Sequence, residues 1–179
     1  MKGHNFKTRQ ITSNEVDNVE LRRLYQTAFP KDEQIPWVDL MRLVEEMHLD
    51  FTAYYDDNTL IGFTIVYPRP SVNWYWYFAV KEELRGKGLG QQILTLLIKK
   101  YDGQSLVLDM ESPTQTPCPN PEQRKRRHDF YLRNGFRDTN LYRSYESIEM
   151  TLMILGPGTF TMKDWDDITN ELRQHWAWD

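Results

Sequence analysis

The chain has one cysteine, Cys118, in 179 residues. That excludes an intramolecular disulfide and a cysteine-rich zinc site, and it suits a reducing, cytoplasmic setting. No apolar run comes near the roughly 20 residues that a membrane span requires. The opening residues, Met1 to Phe6, have no apolar core of the kind a signal peptide carries. The four histidines, His4, His48, His128 and His175, show no metal-ligand spacing, so no metal is expected. Internal repeats and low-complexity segments are lacking too. Positive charge is not in excess: 22 basic residues against 26 acidic give a net charge of −4, which argues against a general nucleic-acid binder. What remains is the length of one domain, residues 1–179, expected to be soluble and cytoplasmic, with neither membrane nor nucleic acid as a partner.

What the chain does have is aromatic residues, 13% of the total, with six Trp and ten Tyr. They are densest in Trp74-Tyr75-Trp76-Tyr77-Phe78-Ala79-Val80, which reads as a strand. That strand feeds Lys81-Glu82-Glu83-Leu84-Arg85-Gly86-Lys87-Gly88-Leu89-Gly90, and an apolar helical pattern follows from Leu89 to Ile98. A strand, a glycine-rich turn and a helix N-terminus make a place for an anion. First-turn N–H groups have no intrahelical acceptor, and the macrodipole adds about half a positive charge there. Glycines let successive N–H groups converge on one point. The nucleotide-binding P-loop pattern is absent, and a Rossmann fingerprint is incomplete because Gln91 stands where its last glycine belongs.

The rest of the chain alternates strands and helices without a linker, which argues for one mixed α/β (α+β) domain. A strand is expected over residues 5–11, then a capping box of Thr12 and Glu15 opening a helix that stops before Pro30. A second helix starts near Pro36 with an apolar stripe of Trp37, Leu40, Met41, Val44 and Met47. Strands follow at 51–55, 60–67 and 71–80, the first two joined by an Asp56-Asp57-Asn58 turn. After the glycine turn come a helix to about Tyr101 and a short strand over 105–109. A proline-rich loop leads to a helix over 121–132 with Asn120 as N-cap, and strands over 138–145 and 147–155 close the pattern. A C-terminal helical extension begins at about residue 159, its helix spanning 163–176. Its Trp165, Trp176 and Trp178 would pack on the domain or make a homodimer contact.

Two motifs carry a resemblance. Arg85-Gly86-Lys87-Gly88-Leu89-Gly90 resembles the acetyl-CoA-binding signature of the GCN5-related N-acetyltransferase (GNAT) superfamily, and Phe130-Tyr131-Leu132-Arg133-Asn134-Gly135-Phe136 is similar to its closing motif. Each sits in the expected context, and the resemblance covers about residues 5–155. It implies a central, mostly antiparallel sheet of about seven strands flanked by helices, whose fourth and fifth strands splay apart to admit the arm of acetyl-CoA. Phe78, Ala79 and Val80 would run along that arm, and the turn from Arg85 through Gly86, Lys87, Gly88 and Leu89 to Gly90 would hold the pyrophosphate. The activity implied is acetyl transfer to a primary amine of an unidentified small molecule, peptide or protein. The alternative is a CoA-binding or regulatory module without turnover.

Acetyl transfer to an amine requires a deprotonated amine, a polarised thioester carbonyl and a proton for the departing thiolate. By resemblance Tyr131 is the acid, and a backbone N–H near Val80 meets the oxyanion. Glu111, just beyond the fifth strand, is the candidate base, with Asp109 beside it expected to point the other way, and either could act directly or through a water. Glu33, Trp37 and Trp76, with Tyr67, Trp74 and Tyr145 as further walls, make an acidic and aromatic acceptor lining suited to a cationic amine. Arg124-Lys125-Arg126-Arg127 reads as a solvated helix face, with contact to the CoA phosphates or to a nucleic acid as the alternatives. Seven residues before the closing tyrosine the family commonly has an Asn that contacts CoA; here that position is Arg124. Cys118, between prolines, reads as an inert thiol.

Overall fold

The computed structural model describes residues 6–176; Asn5, where the first strand was expected to begin, His4 and Trp178 lie outside them. Seven strands form one sheet in the order β1-β2-β3-β4-β5-β7-β6. They are β1 (Lys7–Gln10), β2 (Asp50–Asp56), β3 (Thr59–Tyr67), β4 (Asn73–Val80), β5 (Leu106–Glu111), β6 (Arg137–Tyr145) and β7 (Ile148–Leu155). Every neighbouring pair is antiparallel except β4 and β5, which run parallel. Five helices flank the sheet: α1 (Val19–Ala28), α2 (Trp37–Glu46), α3 (Leu89–Lys100), α4 (Pro121–Arg133) and α5 (Met162–His175). Among the described residues no helix is long and apolar enough to cross a membrane.

Alternation along the strands sorts the core onto two faces. One face, with Phe51, Phe63, Trp74, Tyr77, Val107 and Leu152, is covered by α1, α2 and α5 through Leu21, Tyr25, Leu40, Met41, Trp165 and Ile168. The other, with Tyr75, Leu108, Met110 and Met153, is covered by α3 and α4 through Leu94, Leu97 and Tyr131. Both faces of β3 and β4 are buried, so these strands read as nearly continuous apolar runs. The stripe expected on α2 is buried throughout. Trp165 likewise packs edge-on against Trp74 at 5.7 Å, which seats α5 on its own sheet.

Three local expectations need correcting. The helix α1 does not start at a Thr12 capping box. Glu15 is taken by Arg9, 2.8 Å away, and by the Asn18 amide, and the Asn18 side chain caps α1 by accepting from Leu21 N at 3.1 Å. A capping box exists elsewhere, between Thr161 and Asp164 at the start of α5. Asn120 precedes α4 but caps no N–H with its side chain, because its Oδ1 accepts from Arg124 Nε at 2.8 Å. The fifth strand extends to Glu111, so that residue lies within it and not beyond.

Candidate active site

The parallel pairing of β4 with β5 is short. Only Asn73 with Leu106 and Trp74 with Val107 are in register, after which β4 runs on to Val80 and β5 to Glu111 without pairing. From Tyr75 onward the β5-facing edge of β4 therefore has backbone groups free for an extended partner, the way a sheet edge accepts an added strand. β4 also carries a bulge: Tyr75 pairs with Val66 and Tyr77 with Ile65, leaving Trp76 as an extra residue. An extra residue shifts the side-chain alternation by one. Trp74 and Tyr77 consequently share the α1/α2 face, while Tyr75 points to the α3/α4 face.

At the open end of this gap stands the glycine turn. Gly86 and Gly88 have φ of 76° and 75°, and a Cβ at either would meet nothing within 4 Å. Backbone conformation, not crowding, is what demands glycine there. Gly88 is the N-cap of α3 with no side chain in the cap. Gln92 N is the first donor to close a helical turn, onto Gly88 O at 3.2 Å. The N–H groups of Leu89, Gly90 and Gln91 are thus left at the helix mouth. Arg85 folds back so that its Nε donates to Val80 O at 3.3 Å, and Lys87 is exposed beside the turn. Phe78 and Val80 pack toward α3, and Ala79 packs toward α1 and α2.

At the closed end the two faces differ. On the α3/α4 face Tyr131, 8% exposed, meets Tyr75 edge-on at 6.3 Å. Burial pushes the Tyr131 phenol up to about 12; Arg127 and Tyr75 pull it down, and Asp109 pushes it further up. On the opposite face Trp74, Trp76 and Tyr77 form a stack with centroids 4.4 Å and 5.0 Å apart. Asp109 and Glu111 also lie on this side. Residues two apart in a strand share a face, which corrects the expectation that these two carboxylates point in opposite directions. Asp109 accepts from the Trp74 indole at 3.0 Å. Removal from water holds its carboxyl above the usual range, partly offset by that hydrogen bond.

Glu33 is brought to the same place by tyrosine hydroxyls. Tyr77 donates to Glu33 O at 2.9 Å, and Tyr25 both donates to Ile35 O at 3.0 Å and accepts from Ile35 N at 2.8 Å. The loop before α2 is therefore pinned by its backbone. Burial raises the Glu33 carboxyl, and the charges of Glu111, Asp32 and Asp109 raise it further, against Arg127. Glu33, Asp109 and Glu111 are thus near enough to act on one another, and Trp76 stacks on Trp74, the partner of Asp109. Trp37 does not join them: it is 4% exposed in the core, with its indole bonded to Val16 O at 2.7 Å. Tyr67 is tied to Glu171 of α5 at 2.7 Å, and Tyr145 is exposed beside the β6–β7 hairpin.

The basic run is not a uniformly solvated face. Arg124 is 3% exposed, and its Nε lies 2.6 Å from Glu111 Oε2. Its Nη1 donates to Ser112 O at 3.3 Å and to Gln115 Oε1 at 2.8 Å. A carboxylate and the loop between β5 and α4 are held by one guanidinium, while Lys125, Arg126 and Arg127 stay exposed. The departure at position 124 was the available signal for this clamp. Nothing in the sequence singled out Tyr75 or the hydroxyls of Tyr25 and Tyr77.

The family model for the acetyltransferase (GNAT) domain matches residues 48–138, just over half of the chain. No curated protein sequence matches it. Among solved structures, a protein from Bacteroides thetaiotaomicron described as an acetyltransferase of the GNAT family superposes with a TM-score of 0.75 at 24% identity, over 94% of this chain and 96% of its own. Ard1 from Thermoplasma volcanium gives 0.63 at 17% identity over 84% and 96%. The PaiA N-acetyltransferase from Thermoplasma acidophilum, in complex with coenzyme A, gives 0.55 at 17% identity over 86% and 99%. At these identities the structural likeness speaks for the fold alone. Together with the matched domain it leads to one statement: the chain belongs to the GNAT acetyltransferase family.

Proposed function

We propose that the protein is an acetyl-CoA-dependent N-acetyltransferase acting on a primary amine of a small molecule or peptide. The observation that carries this reading is the parting of β4 from β5 after Trp74 and Val107, between the glycine turn and the Tyr131–Asp109 region. The residues fit the cosubstrate. Around Gly86 and Gly88 there is open space and a cluster of N–H groups for a pyrophosphate, with Arg85 and Lys87 beside it. The unpaired edge of β4 from Phe78 through Ala79 to Val80 offers backbone partners to an amide-bearing arm.

Acetyl-CoA supplies an acetyl group already activated as a thioester. Glu33 and the stacked ring of Trp76 would attract and seat the cationic amine. Asp109 would take its proton: a carboxyl with a raised affinity for protons is the better base of the two strand residues, and Glu111 is engaged by Arg124. A backbone N–H on the free edge of β4 would meet the developing oxyanion. Tyr131, protonated at neutral pH, would give its proton to the departing sulfur.

Acetyl-CoA at a hundred times its Kd is expected to stabilise the fold by about 2.7 kcal/mol, read as a rise in melting temperature. Thiol release over a panel of amines then reports turnover. No stabilisation would overturn the proposal, and stabilisation without thiol release from any amine would leave a CoA-binding module. Gly88→Ala is expected to cost about 1–2 kcal/mol through its left-handed backbone and to shrink the acetyl-CoA-induced shift, because the amides it aims are displaced. An unchanged denaturation curve would show that the turn tolerates a side chain.

A further inference from the structure

Three buried side-chain polar atoms among the described residues have no hydrogen-bond partner: Arg69 Nη1, Trp165 Nε1 and the Tyr75 hydroxyl. The other guanidinium nitrogens of Arg69 bind Glu171, and Trp165 is seated edge-on against Trp74 with Arg143 over its ring. Tyr75 is different. It is 3% exposed, sits immediately after the last β4–β5 pair, and its ring packs edge-on against Tyr131. Burying a hydroxyl without a partner is unfavourable, whereas Phe would fill the same space with nothing left unsatisfied. The Tyr75 hydroxyl thus meets no acceptor with good geometry among the described residues.

A partner appears when Tyr131 changes charge. The Tyr75 ring meets the Tyr131 ring edge-on at 6.3 Å, and each hydroxyl influences the other's ionisation, with Tyr75 favouring the Tyr131 phenolate. We propose that Tyr75 is a positioning residue for Tyr131: its unpaired hydroxyl donates a hydrogen bond to the Tyr131 oxygen once that oxygen has given up its proton. This rests on the acid role assigned to Tyr131 above. In that step the Tyr131 O–H bond breaks, an S–H bond forms, and the negative charge passes from sulfur to the phenolate oxygen. Tyr75 keeps its own proton and supplies only the hydrogen bond; Tyr131 is reprotonated from solvent. Arg127 on α4 favours the phenolate and Asp109 on β5 disfavours it, so Tyr75 is the neutral contribution to a balance of two charges. Hydrogen bonds to ionised groups are about twice as strong as neutral ones, so the donor matters little before proton transfer and much after it.

The test compares Tyr75→Phe, Tyr131→Phe and the double variant. Tyr75→Phe is expected to keep or raise resistance to denaturant, leave KM for both substrates unchanged and lower kcat about 10- to 100-fold. In the Tyr131→Phe background it should change kcat by no more than about twofold. A readout independent of turnover is the absorbance titration of a difluorotyrosine in place of Tyr131 in the ligand-free protein. Tyr75→Phe is expected to lower that phenol's ionisation constant by about tenfold. An unmoved titration, or an equal loss of kcat with and without Tyr131, would overturn the proposal. If no amine is acetylated, the functional reading fails, and the titration still decides whether Tyr75 serves Tyr131.

Discussion

Arg124→Ala is expected to destabilise the protein by about 3–5 kcal/mol, the range for removing one partner of a buried ion pair. The physical reason is what stays behind. Glu111, whose side chain is 14% exposed, would keep its charge without the guanidinium 2.6 Å away. Ser112 O, Gln115 Oε1 and Asn120 Oδ1 would each lose a donor. Gln115 Oε1 also accepts from Glu149 N at 3.0 Å, so the loosened loop would disturb the entry of β7. Denaturant unfolding measures the loss directly. Glu111→Gln in the same chain should reduce it, with a coupling of roughly 0.5–3 kcal/mol. A change under about 0.5 kcal/mol would mean that Arg124 behaves as a surface residue.

Asp109→Asn is expected to pull stability and turnover in opposite directions. The folded carboxyl holds its proton more tightly than the unfolded one, which titrates near 3.9. Between the two values the folded state binds more protons, so this group's contribution to stability falls as pH rises through that window. At neutral pH the ionised Asp109 is therefore a burden on the fold. The asparagine variant is expected to be more stable than the wild type at pH 7 and to lose that advantage below about pH 4. Its Oδ1 can still accept from Trp74. Turnover should drop about 10²–10⁴-fold, the range for a lost general base, and the acid limb of the pH–rate profile should go with it. Glu111→Gln should keep that limb. A variant that is less stable at pH 7, or that turns over normally, would remove Asp109 from the proposed mechanism.

Much of the fold is legible in the sequence. Periodicity placed α2, the β2–β3 hairpin and α3 to within a residue or two, because each is bounded by strong local signals: Pro36, the Asp57-Asn58 turn, and Gly88 with Gly103. The cap of α1 is not legible along the chain because Thr12 and Asn18 both suit a cap; in the structure Glu15 is held by Arg9 and Asn18 accepts from Leu21 N. The shared direction of Asp109 and Glu111 follows from strand periodicity once β5 is known to reach Glu111. The bulge at Trp76 had no sequence signal, and without it Tyr77 would be assigned to the wrong face.

The sequence by itself determined the glycine turn at the start of α3 and the family. Both depend on local requirements: glycines at positions of positive φ, a helix start behind them, and a closing motif at a set distance. Only the tertiary structure decided which residues share the site. Glu33 arrives from a loop some 75 residues before Asp109 because two tyrosine hydroxyls hold its backbone, and Arg124 leaves solvent because a carboxylate from β5 meets it. Such pairings depend on which elements lie side by side, and a pattern along one chain carries no trace of that.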